Sequence, residues 1–297
     1  MAWNDKYWDI ISNLYWTPRY MGLRSIGQDK WRIDGDQISI PRALIGNNSG
    51  PLYTRSRTFS ETKVYLNGQE EILNQVFSLV FSIAGDQVVS RLLCDPLDLS
   101  DPGPFESIGR EIGTRYGWRK SENVTQQDGF FVSPSSLIGV ELKLESSSWP
   151  EQIAKYVALM VWEETFSRLR TNLGLLFILP EEALPGHWAK VGLIGPHVDA
   201  GFLDRLNRSK LPKKIQSLFD ANPIKVKSVL DKLRLAAISW ASFRAALADF
   251  EAGLDPQHAG DQTLLRLLAG LRRQLEQHDH TGLDKTTGVG WSHGQSN

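Results

Sequence analysis

A chain of 297 residues and 33.4 kDa, 41% hydrophobic and with ten Trp, is long enough to bury one large core or two smaller ones. Its formal net charge of −1 removes any global electrostatic argument for a polyanionic partner, so a surface for one has to be local. A single cysteine, Cys94, excludes an intrachain disulfide and a cysteine-rich zinc site, and the six His show no metal-ligand spacing. The start of the chain, where Asn4, Asp5, Lys6 and Asp9 interrupt the apolar residues, does not read as a signal peptide, and no apolar run is long enough to span a bilayer. The expectation is a cytoplasmic protein with no membrane segment.

In chain order, residues 3–16 carry Trp3, Tyr7, Trp8, Ile11 and Tyr15 at helical spacing, which suits an amphipathic helix facing a core or an interface. Trp31-Arg32-Ile33 and Ile38-Ser39-Ile40 flank Asp34-Gly35-Asp36, a hairpin signal, and Lys63 to Leu66 can form a further strand. From Gln69 to Leu93 the period becomes helical, until the prolines of residues 95–104 break it. Residues 1–100 are therefore expected to form an accessory α+β region.

A compact series follows over residues 101–200. Phe105 to Tyr116 reads as a helix with Phe105, Ile108, Ile112 and Tyr116 on its apolar side. Trp118 to Thr125, Asp128 to Ser133 and Leu137 to Leu144 read as three strands, the last two joined by a tight turn at Pro134-Ser135-Ser136. Pro150 opens a long helix with Ile153, Val157, Met160, Val161 and Phe166 inward, as Pro suits a first turn. Leu175 to Leu179, a continuous apolar run, reads as a buried strand. The order is helix, three strands, helix, strand, an α/β core with a mixed sheet and flanking helices.

Residues 201–278 read as a mostly helical, basic region, and residues 279–297 as a disordered polar tail. Nine basic residues stand against two acidic ones between Arg205 and Arg234, a local excess of seven. Leu235 to Ile238 is ambiguous between strand and helix start. Ser239 can cap a helix from Trp240 to Glu251, and Asp261 precedes a periodic stretch from Leu264 to Gln277.

The chemistry concentrates at Glu141-Leu142-Lys143. On a strand, Ile138, Val140, Leu142 and Leu144 share one face, and Glu141 and Lys143 project from the other beside Leu137 and Gly139. Charges on a buried strand are costly unless they meet a partner, a metal or water. Phosphodiester hydrolysis uses a divalent metal to neutralise phosphate charge and acidify water, and Mg²⁺ takes hard oxygen ligands. Asp128 and Glu141, on neighbouring strands, can supply them, with Lys143 beside them to orient water or stabilise developing charge.

An acidic residue opening a strand, a short hairpin, Glu-x-Lys on the next strand and a helix bearing Gln-x-x-x-Tyr together resemble the PD-(D/E)XK nuclease superfamily, with its restriction-endonuclease-like fold (αβββαβ). The resemblance covers about residues 104–180 and rests on Asp128, Glu141, Lys143, Gln152 and Tyr156. It implies metal ligation by Asp128, Glu141 and the Leu142 carbonyl, a catalytic lysine at Lys143, and support of the site or of substrate phosphate by Gln152 and Tyr156. It also implies a glutamate on the preceding helix, for which Glu106 and Glu111 are both candidates and Glu106 is favoured. The chain departs from the pattern at Gln127, where Pro commonly precedes the acidic residue. The implied cofactor is Mg²⁺, with Mn²⁺ as a substitute. The implied partner is nucleic acid, DNA foremost, with a homodimer or accessory subunits compatible with the fold. Lys155 on the Gln152 helix and Arg208, Lys210, Lys213 and Lys214 in the basic stretch are candidate phosphate contacts. The competing expectation is a catalytically inactive nuclease-like module that binds nucleic acid or a protein.

Overall fold

A computed structural model describes residues 24–27, 30–33, 36–39, 70–108, 115–117, 127–144, 149–166, 169–199 and 201–276. The N-terminal aromatic helix, the strand at Lys63 to Leu66, the strand at Trp118 to Thr125, Glu111 and the C-terminal tail lie outside those residues. The hairpin signal is met: β1 (Arg24–Gly27), β2 (Lys30–Ile33) and β3 (Asp36–Ser39) form an antiparallel sheet with Ile33 opposite Asp36.

The larger sheet holds β4 (Glu106–Ser107), β5 (Gly129–Val132), β6 (Ser136–Leu142), β7 (Asn172–Leu179) and β8 (Leu233–Ser239) in that spatial order. The first two pairings are antiparallel and the last two parallel, so the sheet is mixed. Its flanking helices are α1 (Glu70–Ile83), α2 (Pro150–Phe166), α3 (Lys213–Ala221), α4 (Pro223–Lys232), α5 (Trp240–Ala252) and α6 (Ala259–Leu275). β6 is buried on both faces and therefore divides two cores. Leu137 joins Leu175 and Phe177 with α2, α3 and α4 on one side. Ile138, Val140, Leu142 and Leu144 join Leu176 and Ile178 with α1, α5 and α6 on the other. The period-2 reading of β6 is the observed one, and α2 begins at Pro150 as expected.

Three expectations change. The stretch expected to start a helix at Phe105 instead forms the edge strand β4: Ile108 N–H donates to Phe130 O at 2.7 Å and extends the ladder beyond Ser107. Sheet pairing overrides the helical spacing there. Leu235 to Ile238 is a strand, and β8 pairs with β7 along its length, so the core sheet runs past residue 200. α1 likewise places Leu73, Val76, Phe77 and Val80 in the second core, though it precedes residue 100. Ser239 caps α5 by accepting from Ser242 N–H at 3.0 Å, as expected, whereas α6 starts earlier, with His258 as cap and Asp261 inside its first turn. Among the described residues no helix is long and apolar enough to cross a membrane.

His187 carries a pH dependence into this fold. It is buried against Phe177 and Trp188, its Nε2 has no hydrogen-bond partner among the described residues, and burial, with Lys190 adding, pushes its pKa down to about 4. The unfolded chain takes up this proton near pH 6.5, the folded chain only near 4. Stability from this residue is therefore complete above pH 6.5 and falls by up to about 3 kcal/mol as pH drops to 4. Urea unfolding of His187→Phe is expected to lose that dependence between those two pH values.

Candidate active site

Glu141 and Lys143 leave the end of β6 on the α2 side of the sheet, 4% and 7% exposed. Lys143 Nζ lies 2.8 Å from Glu141 Oε1, so the two form a buried ion pair. The Lys143 backbone is fixed at both ends: its N–H donates to Ile178 O at 3.0 Å, and its carbonyl accepts from Trp240 Nε1 at 2.7 Å. Trp240, the first residue of α5, is itself buried. The lysine thus projects from a locked stem just beyond the last strand residue.

Asp128 precedes β5. Its Oδ2 accepts from Leu142 N–H at 2.8 Å and its Oδ1 from Asn74 Nδ2 at 2.6 Å, which ties α1 to β6. The β5–β6 ladder ends at Gly129 opposite Val140, and the Asp128 carboxylate takes over as the next acceptor on β6. Gln152 and Tyr156 sit one turn apart on the inner face of α2. Gln152 Nε2 donates to Glu141 Oε1, and Gln152 Oε1 accepts from Trp149 N–H at 2.9 Å.

The Tyr156 hydroxyl is the hub. It accepts from Asp128 N–H at 3.3 Å, and Val140 O and, at 3.1 Å, Glu141 Oε2 are both within reach of its one proton. Burial, with Glu141 and Asp128 adding, raises its pKa well above that of a free phenol, so it remains a neutral donor. Gly139 makes room for the ring: a Cβ there would lie 2.5 Å from Tyr156 Cδ1 and 2.9 Å from Cε1. Gly139→Ala is expected to cost about 1–3 kcal/mol in urea unfolding by overpacking, and much less on a Tyr156→Ala background.

Five of the predicted residues therefore meet: Asp128, Glu141, Lys143, Gln152 and Tyr156, with the Leu142 backbone beside them. Glu106 does not join them. It is an exposed residue of β4, paired with Arg115 at 3.3 Å. Its register partner is Val132, four residues along β5 from Asp128, or about 13 Å of strand. Lys155 is half-buried on α2. In the basic stretch Arg208 pairs with Asp220 at 2.6 Å and Lys210 with Glu151 at 3.8 Å, and Arg205 with Asp199 at 2.5 Å. Asp199 and Glu151, which lie outside that stretch, offset part of the local excess, while Lys213 stays exposed and Lys214 half-buried.

Three contributors escaped the sequence reading: Asn74, Gly139 and Trp240. Gly139 had a signal, as the residue between an acidic position and an apolar one on a packed strand face. Asn74 and Trp240 had none, since their partners lie 54 and 97 residues away.

The donor set suits a hard cation. Two carboxylates supply oxygens, and the Asn74 Oδ1 is buried with no hydrogen-bond partner among the described residues, an amide oxygen beside the Asp128 carboxylate. Among the described residues no group of three or more His, Cys, Asp or Glu gathers, so further ligands drawn from those residues would be amide or backbone oxygens. Comparison of the chain with protein-family models, curated proteins and solved structures returns no match.

Proposed function

We propose that this protein is a Mg²⁺-dependent nuclease of the PD-(D/E)XK type that hydrolyses phosphodiester bonds of nucleic acid, DNA foremost. The observation that carries the reading is the buried Glu141–Lys143 pair, held at a strand end beside Asp128 by Gln152 and Tyr156. Taking both charges out of water costs several kcal/mol per ion before their attraction returns any of it. Apolar residues of similar size would serve the fold as well, so chemistry is the better reason for the pair.

Asp128 and Glu141 would hold the metal, with the Leu142 carbonyl and Asn74 Oδ1 as candidate neutral donors. The metal supplies charge neutralisation at the phosphate and a more acidic water. The protein's own part is positional. The Lys143 ammonium, on a backbone fixed through Ile178 and Trp240, would orient a water or stabilise charge on a phosphate oxygen. Tyr156 and Gln152 orient the Glu141 carboxylate, and Tyr156 couples it to the Asp128 backbone.

A non-catalytic nucleic-acid-binding module is the competing reading. One observation favours it: protein donors already occupy the Glu141 oxygens. Incubating the purified protein with linear, circular and single-stranded DNA, and with RNA, decides between the two. Cleavage that needs Mg²⁺ or Mn²⁺ and stops in EDTA is the expected result. Binding without cleavage under every metal condition would leave only the module.

A further inference from the structure

Trp149 stands at the entrance to α2 with 59% of its surface exposed, and it is the one aromatic among the large hydrophobic side chains exposed in the described residues. Its placement is fixed from the site. Its backbone N–H donates to Gln152 Oε1 at 2.9 Å, and the other end of that same amide holds Glu141. Lys210 reaches over the indole from beyond β7, its Nζ 5.9 Å from the ring centre, and also approaches Glu151 Oε1 at 3.8 Å. Pro150 follows immediately and lies beside Gly192, whose φ is 77°: a Cβ there would stand 3.4 Å from Pro150 Cγ. An exposed aromatic ring, with an ammonium over one of its faces, sits one side chain away from the carboxylate of the candidate site.

A packing role would bury the ring. Bases have flat faces and are linked by phosphates, and indole with ammonium matches that alternation. Stacking requires the base to be unpaired, because in a duplex both faces are already covered. We infer that Trp149 is a stacking platform for an unpaired base of the substrate strand, with Lys210 contacting the adjoining phosphate. The site then selects single-stranded nucleic acid or unpaired nucleotides beside the bond to be cut. The inference rests on the nuclease reading for the identity of the neighbouring site, but stacking can be measured without cleavage.

The full-length protein, in EDTA, is titrated into fluorescein-labelled dT20 and into a 20-base-pair duplex, and anisotropy gives both affinities. Trp149→Ala keeps the N–H that Gln152 accepts and is expected to weaken dT20 binding by roughly 5- to 100-fold, with duplex binding changed less than about twofold. Trp149→Phe should restore most of the loss, and Lys210→Gln should weaken dT20 binding and flatten its salt dependence. Equal losses on both ligands, an unchanged dT20 affinity, or no measurable dT20 binding by the wild type each overturn the inference. The nuclease reading fails separately: an absence of metal-dependent cleavage with the Trp149 effect intact removes the chemistry and leaves the platform.

Discussion

The double variant Glu141→Gln with Lys143→Met is expected to fold at or above wild-type stability and to lose metal-dependent hydrolysis by at least about 100-fold. The fold side of this follows from what each atom does. Gln at position 141 keeps an acceptor for Gln152 Nε2 and offers an N–H to the Tyr156 oxygen, whose own proton then belongs to Val140 O. Met fills the volume of the lysine stem without its charge, and neither ion of the pair remains. Lys143→Met alone leaves the Glu141 carboxylate, 4% exposed, without its counter-ion, and is expected to lose about 3–5 kcal/mol. The single variant therefore confuses folding with chemistry, and the double variant separates them. Thermal unfolding and a Mg²⁺ cleavage assay on the three proteins are the required measurements. A double variant that cuts at the wild-type rate would remove the pair from the mechanism. One as unstable as the single variant would make the pair structural.

The same pair explains why part of this site was legible in the sequence. β6 is a strand whose two faces differ in composition, and period-2 alternation assigns Glu141 and Lys143 to one face without any knowledge of the fold. Pro150 and Ser239 mark helix starts by backbone chemistry that acts within one turn, and both are where the local rule places them. Signals that depend on distant partners were not legible. Phe105, Ile108 and Tyr116 have helical spacing, but β5 offers an open edge, and Glu106 and Ser107 pair with it. The cut at residue 200 follows a real change in composition, yet β8 supplies the fifth strand from beyond it. Asn74 belongs to a helix that local reading assigns to an accessory region, and only its hydrogen bond to Asp128 brings it to the site. Glu106 shows the converse error: an acidic residue at a plausible sequence distance was carried to the wrong end of the sheet by the strand it joined.

Asp128→Asn tests the metal side while disturbing the fold least. Leu142 N–H still finds an acceptor in the new amide oxygen, in place of Asp128 Oδ2. The new NH₂ would then face Asn74 Nδ2, donor against donor, but Asn74 can turn its amide over and present the Oδ1 that has no partner among the described residues. The turn exchanges an orphan acceptor for an orphan donor, so the expected stability change stays within about 1 kcal/mol. The electrostatic change is larger, because one of the two carboxylates that would face the cation is gone. In the wild type, millimolar Mg²⁺ or Ca²⁺ should raise the unfolding temperature, since an ion that binds only the folded state stabilises it by mass action. In Asp128→Asn that rise should vanish, and Mg²⁺-dependent cleavage should fall by at least about 100-fold. The unfolding temperature without metal should stay near that of the wild type. A variant that retains both the divalent-ion shift and the cleavage would exclude Asp128 as a ligand. Loss of stability without metal would instead make its bonds to Asn74 and Leu142 the reason for the carboxylate.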